Sequence, residues 1–320
     1  KTAVVLLNMG GPGSLDDVEP FLYNLFMDPD IISIPLGRLL RPFIARKISR
    51  KRAEKVRGYY KKIGGKSPLL DLSIDQARSL EEALKTEGDY SVSLAMRYWH
   101  PFTEEAISQL IQDAPDRIIL LPLYPQFSTA TSGSSLNEFS RLWQKKDTEL
   151  IKIVSWHDHP RYIKSWAEAI NDELDGLKDR HVSILFSAHG IPQSMIDKGD
   201  PYQSQTEETV RLILEELQWN GKWQLCYQSR VGPVKWLEPS TESVIQEWGS
   251  RQKDIMLMVP ISFVSDHSET LYEMDIQYKE LALEAGIRDF RRVASLNSRP
   301  LFIESLKEIV LQAAIKGQDI

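Results

Sequence analysis

Eight short apolar runs, most of them rich in β-branched residues, recur along the chain with amphipathic helical patterns between them. The runs are Ala3–Leu7, Tyr90–Met96, Arg117–Leu123, Leu150–Ser155, Val182–Phe186, Trp223–Tyr227, Asp254–Pro260 and Phe290–Ala294. Most are continuous rather than alternating, which is typical of strands buried on both faces of a parallel sheet. The alternation of strand and helix therefore predicts βαβ units and a doubly wound α/β architecture.

The length of 320 residues is long for one core and suits two domains of about 150 residues each. Eight strands divide into two groups of four. We expect a first domain over 1–155 that is completed by a C-terminal helix within 299–320, and a second domain over 156–298. No repeat relates the halves and no low-complexity linker separates them, so this division rests on strand count and length.

Charge is distributed unevenly along the chain. The formal net charge of −6 argues against a general nucleic-acid binder. Between Arg38 and Lys62, however, eleven Lys and Arg residues and one acid, Glu54, give a local charge of +10, which leaves −16 for the remainder. A solvated basic helix is the simplest interpretation of this segment, and a surface for an anionic partner is the alternative.

Cysteine usage and hydropathy restrict the classes of protein. The single cysteine, Cys226, excludes an internal disulfide framework, a four-cysteine zinc site and an iron–sulfur cluster held by the cysteines of one chain. One cysteine fits a reducing compartment, and no apolar run approaches the ~20 residues that span a bilayer. We expect a cytoplasmic location, or an organellar one if a targeting peptide has been removed before Lys1.

Ligands of open α/β sheets bind outside the carboxyl ends of the strands, and five of the six histidines lie at those ends. The loop Gly10–Gly13 there matches neither dinucleotide nor P-loop spacing. It is either a tight turn or a ligand-facing loop, and Met9 belongs either to the core or to a cleft wall. His157 and His159 could share a metal ion, although a helix cap is the simpler interpretation.

Two strand-end segments carry the strongest chemical signals. His189 directly follows a strand and precedes a turn, where a neutral imidazole suits proton abstraction or metal ligation. Glu269 and Glu273 are four residues apart and share a helix face, with Asp266 at the predicted N-cap. Carboxylates and imidazole together bind divalent metals or relay protons; a structural histidine and a solvated capping box are the alternatives.

Several motifs in order resemble the ferrochelatase family over almost the whole chain. They are Leu7–Pro12, Gly64–Pro68, Arg97-Tyr98, Thr131–Ser135, Phe186–His189, Gly199–Tyr202, Gln228–Pro233, Ser265–Leu271 and Ser295–Asn297. The resemblance implies two similar Rossmann-like domains, each with a four-stranded parallel sheet flanked by helices, and a porphyrin cleft between them. It also implies a lyase that inserts Fe²⁺ into a dicarboxylate porphyrin, protoporphyrin IX, to give haem and two protons in the last step of haem synthesis.

The same resemblance assigns residues to roles. His189, Glu269 and Glu273 are the expected catalytic residues, and His189 and Glu269 the expected iron contacts. The expected porphyrin contacts are Met9, Arg46, Lys47, Ser67, Arg97, Tyr98, Tyr124 and Trp236. Neither an obligatory cofactor nor an iron–sulfur cluster is expected, and the partners are porphyrin and Fe²⁺, with no nucleic acid. The alternatives are an enzyme that acts on coproporphyrin, a chelatase for another metal or tetrapyrrole, and a non-catalytic carrier. The expected oligomeric state is a monomer or a homodimer.

One position departs from the usual family pattern, and the resemblance also gives the basic segment a candidate role. The family often continues the acidic row one step further, where this chain has Gln277, and its members carry a π-helical stretch that keeps 269, 273 and 277 on one side. The basic segment coincides with the lip of the family's porphyrin pocket. It therefore predicts either a rim at which Arg46 and Lys47 meet propionates, or a peripheral membrane contact through 38–62.

Overall fold

Each of the eight apolar runs overlaps a β-strand in the computed structural model, which describes residues 1–31, 37–145, 147–177, 181–230, 232–251 and 255–320. The strands form two separate four-stranded parallel sheets. The chain divides into one unit made of Lys1–Trp156 with Leu306–Ile320, and another made of His157–Ser305. The second boundary lies inside the C-terminal helix, whose first residues belong to the second unit and whose remainder belongs to the first.

In the first unit the strands pair in the order β2-β1-β3-β4. Its elements are β1 (Thr2–Asn8), α1 (Val18–Met27), α2 (Gly37–Lys62), α3 (Leu69–Leu84), β2 (Tyr90–Met96), α4 (Thr103–Asp113), β3 (Arg117–Pro122), a π-helix (Thr129–Gly133), α5 (Ser134–Leu142) and β4 (Glu149–Lys152). Val4 aligns with Val92 of β2 and with Ile119 of β3. Residues 3–8 of β1 are all buried, as expected of a strand covered on both faces.

In the second unit the strands pair in the order β6-β5-β7-β8. Its elements are α6 (Pro160–Asp175), β5 (Val182–His189), α7 (Gln193–Ile196), α8 (Tyr202–Glu216), β6 (Trp223–Gln228), α9 (Thr241–Arg251), β7 (Ile255–Val259), a π-helix (Glu269–Tyr278), α10 (Lys279–Ala285) and β8 (Asp289–Arg292), with α11 (Pro300–Lys316) after it. One core cluster packs Trp248 of α9 and Met274 of the π-helix against the sheet. This packing places the π-helix directly on the sheet.

Three local features differ from the sequence expectations. The amphipathic patterns predict helices in all the other connections between strands but none between β6 and β7, where the structure has α9; a parallel connection requires such a crossover element. Asp266 does not cap the helix that follows it: the N-cap position is Ser268, and the Asp266 carboxylate instead accepts hydrogen bonds from Arg292 and Asn297. The serine-rich segment Ser132–Ser135 before a predicted helix favours an N-cap at Ser134 or Ser135. In the structure both serines lie at the start of α5 without capping it, because the π-helix Thr129–Gly133 already supplies the preceding turn.

Candidate active site

His189 is the last residue of β5 rather than the first residue after it, and its position is fixed from several directions. It pairs in register with Gln228, the last residue of β6. Its backbone N–H donates to Ser262 Oγ at 2.9 Å, and its carbonyl accepts from Tyr202 Oη at 2.9 Å. A Cβ at Gly190 would stand 2.7 Å from the Gln228 carbonyl oxygen, so only glycine allows the two strand ends to meet this closely.

The His189 side chain forms a close pair with Glu269. Nδ1 of His189 lies 2.8 Å from Glu269 Oε2. The histidine side chain is 37% exposed and the glutamate 19%, so both remain accessible to a ligand. An ionised Glu269 accepts a hydrogen bond from Nδ1–H, and this fixes the tautomer in which Nε2 keeps its lone pair. The pair therefore presents a basic nitrogen whose ring is held by a carboxylate.

Glu269 and Glu273 lie on the π-helix that the family resemblance implies, and the structure confirms that π-helix over Glu269–Tyr278. A π-helix carries i→i+5 hydrogen bonds, is rare, and occurs frequently at functional sites. Both carboxylates contact the same hydroxyl: Ser229 Oγ lies 3.0 Å from Glu269 Oε2 and 2.7 Å from Glu273 Oε2. Gln277 is exposed on the same helix. The predicted row of 269 and 273 is thus brought together around Ser229.

Ser229 and Gln228 were not among the residues assigned from sequence, yet they hold the two carboxylates. Gln228 is fully buried and donates from Nε2 to Glu269 at 3.4 Å and to Glu273 at 3.3 Å. Its amide is oriented by Ser187, whose hydroxyl donates to Gln228 Oε1 at 2.8 Å. Ser229 has a left-handed φ of +65°, a strained conformation for serine that places its hydroxyl between the carboxylates.

The surroundings shift the pKa values of the two glutamates in opposite directions. Burial raises the pKa of both carboxyls, but for Glu269 the charge and hydrogen bond of His189 outweigh it and hold that pKa well below its usual range. Burial, followed by the charge of Glu269, raises the pKa of Glu273 to about 7. The Ser229 hydroxyl has one proton and can donate it to only one of the two carboxylates. When it donates to Glu269, the contact with Glu273 is satisfied by a protonated Glu273 that donates to Ser229 Oγ.

His189 itself responds to two opposed effects. Burial lowers the pKa of this imidazole, but the charge of Glu269, its hydrogen bond and the charge of Glu273 together leave it above the ordinary value. His267 differs, because burial holds its pKa below the usual range. The ring of Phe263 contacts both histidines, with its centroid 6.2 Å from the His189 ring and 4.5 Å from the His267 ring.

A second polar cluster lies in the first unit, around two of the predicted porphyrin contacts. Arg97 Nη2 lies 3.1 Å from Asp28 Oδ2, Arg97 Nε donates to Ser134 Oγ at 2.8 Å, and Tyr98 Oη donates to Asp28 Oδ2 at 2.7 Å. Ser134 also donates to Asp28. Asp28 is fully buried and Arg97 only 15% exposed. Arg97 is therefore neutralised within the protein, and sequence reasoning missed Asp28 because nothing in the sequence links the end of α1 to the end of β2.

The other predicted porphyrin contacts fall into three environments. Met9 is half-buried against the α1 cluster, and Tyr124 is half-buried with burial raising its pKa. Ser67 is buried, donates its N–H to the Pro12 carbonyl and accepts from Leu69 N–H, so it braces the Gly10–Gly13 loop. Arg46 and Lys47 are exposed on α2, with the Arg46 guanidinium 5.9 Å from the Tyr23 ring centre.

Trp236, in the second unit, is half-buried beside the end of β5. A Cβ at Gly190 would approach Trp236 Cε3 at 3.5 Å. The indole Nε1 of Trp236 is buried, and along the described ranges it donates to no protein atom. The side chain is thus placed next to His189 with a polar atom that the described part of the chain leaves unsatisfied.

The alternative metal pair, His157 and His159, is not arranged as a shared site. His157 Nε2 lies 3.2 Å from Glu208 Oε2, and His159 occupies the N-cap position of α6 before Pro160, without a side-chain capping bond. Among the described residues no set of three or more His, Cys, Asp or Glu side chains is grouped as a metal site would require. Metal contacts at His189 and Glu269 remain a prediction.

Similarity to solved structures identifies the fold class of this chain. The chain is similar to "SirB from Bacillus subtilis with Fe3+", with a TM-score of 0.60 at 11% identity over 98% of this chain and 96% of that one. It is also similar to CbiX, described as the terminal enzyme for biosynthesis of sirohaem in denitrifying bacteria, with a TM-score of 0.52 at 13% identity over 98% and 99% of the two chains. At such identities the likeness shows the fold alone, which is the two-domain fold of chelatases and confirms the predicted fold class.

The family follows from sequence. The ferrochelatase family model matches residues 1–314. A ferrochelatase of Geotalea daltonii is 52% identical over 99% of each chain, and one of Aquifex aeolicus is 48% identical over 97% of this chain and 98% of that one. A ferrochelatase of a Synechococcus strain is 51% identical over 97% and 92%. The chain belongs to the ferrochelatase family, whose members are lyases.

Proposed function

We propose that this chain inserts Fe²⁺ into protoporphyrin IX at His189, Glu269 and Glu273. The observation that carries the proposal is the contact of 2.8 Å between His189 Nδ1 and Glu269, with the second carboxylate on the shared Ser229 hydroxyl. Membership of the ferrochelatase family supplies the reaction class. The proposal adds the porphyrin and the role of each residue.

The reaction needs proton acceptors near the metal. Inserting Fe²⁺ into a free-base porphyrin replaces two pyrrole N–H bonds with Fe–N bonds, forms the metalloporphyrin and releases two protons. In the proposal His189 Nε2, whose lone pair is kept by the Glu269 contact, accepts a pyrrole proton or presents the iron. Glu269 holds the imidazole and stabilises its cation, as carboxylates do for catalytic histidines.

Glu273 is proposed as the group that takes protons onward. Its pKa of about 7 lies close to neutral pH, where an acid–base group gains and loses protons most readily. Ser229 Oγ contacts both glutamates, which gives a hydrogen-bonded connection between them. No step in this scheme needs a resident cofactor, since the protein's own side chains accept the protons.

The central experiment measures metalloporphyrin formation from protoporphyrin IX with Fe²⁺ under anaerobic conditions, or with Zn²⁺. Wild-type protein is expected to turn over, whereas His189→Ala should lose at least about 100-fold in kcat while still quenching porphyrin fluorescence. His157→Ala is the matched control, because that histidine also contacts a glutamate in the same unit. Near-normal turnover in His189→Ala would remove it from the mechanism.

A second proposal concerns the surface of α2. Leu39 and Phe43 are 75% and 76% exposed, and Lys47 and Lys51 further along the helix are exposed cations. Apolar and basic side chains together suit an anionic membrane surface. Along the described ranges no helix combines the length and hydropathy needed to cross a bilayer. From the surface of α2 we propose a peripheral membrane contact through 38–62, and from the bacterial ferrochelatases that the chain resembles a cytoplasmic location.

Vesicle sedimentation tests this contact. The protein should pellet with vesicles that contain phosphatidylserine at low salt and be released at high salt. Leu39→Ser with Phe43→Ser should abolish pelleting, whereas Leu283→Ser, at the 48% exposed Leu283 of α10, should not. Equal pelleting of both variants, or none in the wild type, would refute the membrane contact.

A further inference from the structure

A buried arginine on an edge strand ties the active-site π-helix to the sheet. The guanidinium of Arg292, at the end of β8, is only 8% exposed. Its Nε and Nη2 donate to the two carboxylate oxygens of Asp275 at 2.7 and 2.8 Å. Its Nη1 donates to Asp266 Oδ1 at 2.8 Å and to the Val293 carbonyl at 3.2 Å. Four of its five N–H donors are thereby used.

The two aspartates lie on either side of the catalytic glutamates in sequence. Asp266 precedes the π-helix, and Asp275 is two residues beyond Glu273. Asp266 is itself held by Asn297, which donates from Nδ2 at 2.9 Å and accepts the Asp266 N–H at 3.0 Å. The segment that carries Glu269 and Glu273 is therefore anchored before its start and within its second turn by one planar group.

The same helix is also held by the contacts of its two glutamates in the candidate active site. Glu269 and Glu273 contact Ser229, which directly follows β6, and β6 and β8 are the two edges of the sheet. The π-helix is thus held at one edge through its glutamates and at the other through Asp275. Core packing through Met274 and Tyr278 keeps the helix on the sheet, and the polar contacts at both edges add a fixed orientation about the helix axis.

The orientation of the helix about its axis matters because the same segment could instead form the i→i+4 hydrogen bonds of an ordinary α-helix. Successive residues turn by about 100° in an α-helix and by less in a π-helix, whose hydrogen bonds skip one more residue. Reversion to α-helical bonding would rotate Asp275 away from Glu269 by a large fraction of a turn. The Arg292–Asp275 fork and the Glu269–Ser229 contact are then incompatible, so the two anchors together select the π register.

We propose that Arg292 is a positioning residue, which holds the π-helix in the register that places Glu269 and Glu273 together on Ser229. The bidentate fork gives it the geometric specificity that a lysine lacks. The proposal rests on the catalytic roles proposed above for the two glutamates. It concerns the geometry of the helix, which is measurable separately from turnover.

The test compares Arg292→Lys, Arg292→Met and Asp275→Asn with Arg291→Met. Arg291 is the neighbouring residue of β8, points to the opposite face, and pairs only with Asp289 among the described residues, at 3.2 Å. We expect the three variants that break the fork to lose about 10- to 100-fold in kcat with an unchanged KM for porphyrin. Arg291→Met should retain wild-type kcat.

Amide hydrogen exchange supplies the readout that a purely stabilising role would not change. In folded Arg292→Met, exchange should accelerate across 269–278 while the other helices of the second unit keep their protection. Uniform acceleration with a lower melting temperature, or wild-type kcat per folded molecule in Arg292→Met and Arg292→Lys, would overturn the proposal. If Glu273→Gln and Glu269→Gln retain activity, the proposed function fails, but the exchange pattern still decides whether Arg292 sets the register.

Discussion

At the scale of single residues, the sequence predicts that Glu269 and Glu273 lie together, but not which residues hold them. Glu269 and Glu273 stand four apart, and that spacing alone predicts a shared helix face. Ser229 and Gln228 lie about forty residues earlier in the chain, and their contacts depend on β6 ending beside β5. Such contacts are set by strand register, which sequence spacing does not encode. The same reason explains why Asp28, beside Arg97, was missed.

Glu273→Gln is expected to stabilise the protein above neutral pH. Burial and the charge of Glu269 raise the pKa of Glu273 from 4.5 to about 7, so the folded state binds its proton more tightly than the unfolded state. Stability from this group is present below pH 4.5 and is lost as pH rises through 7. The variant should gain about 1 to 3 kcal/mol at pH 8 and nothing at pH 4, by urea unfolding.

The control for this pH dependence is Glu280→Gln, which alters an exposed glutamate of α10. It should shift the free energy of unfolding by no more than about 0.5 kcal/mol at either pH. A Glu273→Gln variant that is destabilised at pH 8, or that differs from wild type equally at both pH values, would contradict the assigned ionisation.

Asp28→Asn should destabilise the first unit, because it removes the charge that neutralises Arg97. The carboxylate is fully buried and accepts hydrogen bonds from Tyr98 and Ser134 as well as pairing with Arg97 at 3.1 Å. Breaking one partner of a buried ion pair costs about 3 kcal/mol or more. Urea unfolding checks this loss, and Asp16→Asn, at an exposed position, should have no measurable effect.

At the scale of elements, the strands were predictable because buried parallel strands are continuous apolar runs. Helix α9 was not, since its buried residues Val244, Ile245 and Trp248 cover only one short stripe between polar residues. The π-helix Glu269–Tyr278 was expected only from family resemblance. The sequence of this segment indicates only a helix, because the i→i+5 hydrogen bonds that define a π-helix are set by the local backbone and its packing.

Gln277→Glu should restore the outer carboxylate that this chain lacks. Position 277 is exposed and follows Glu273 by four residues along the π-helix. An added negative charge near the entry to a dication site should lower the KM for the metal by about threefold at low salt and leave kcat unchanged. Gln277→Ala is the control for side-chain removal. An unchanged metal KM in Gln277→Glu, measured at fixed porphyrin with Zn²⁺, would contradict an acidic row that draws in the cation.

At the scale of the whole molecule, two units with separate four-stranded sheets could be predicted from strand count and length, but the exact division could not. The chain leaves the first unit after Trp156 and returns at Leu306. That return lies inside α11, between Ser305 and Leu306, both of which are fully buried. A helix with an uninterrupted apolar pattern carries no sequence signal at such a point, so only packing reveals which unit each turn belongs to.

The charge asymmetry of the molecule bears on which porphyrin it accepts. The segment 38–62 carries +10, whereas the remainder carries −16. If Arg46 and Lys47 contact propionates, a porphyrin with two propionates can place both of them against the basic segment, and its binding is strengthened. A porphyrin with four must also place negative charge against an acidic surface. We therefore expect kcat/KM to be higher for protoporphyrin than for coproporphyrin.

Salt separates this electrostatic account from a purely steric preference. Raising the ionic strength from about 0.01 M to about 1 M shortens the screening length from about 30 Å to about 3 Å. The KM for protoporphyrin should therefore rise, and Arg46→Gln with Lys47→Gln should remove most of that dependence. Arg211→Gln, at an exposed arginine of the second unit, is the control for loss of a surface cation away from the basic segment. A higher kcat/KM for coproporphyrin would instead identify the four-carboxylate porphyrin as the substrate. It would also show that the acidic remainder of the chain does not repel the two additional propionates.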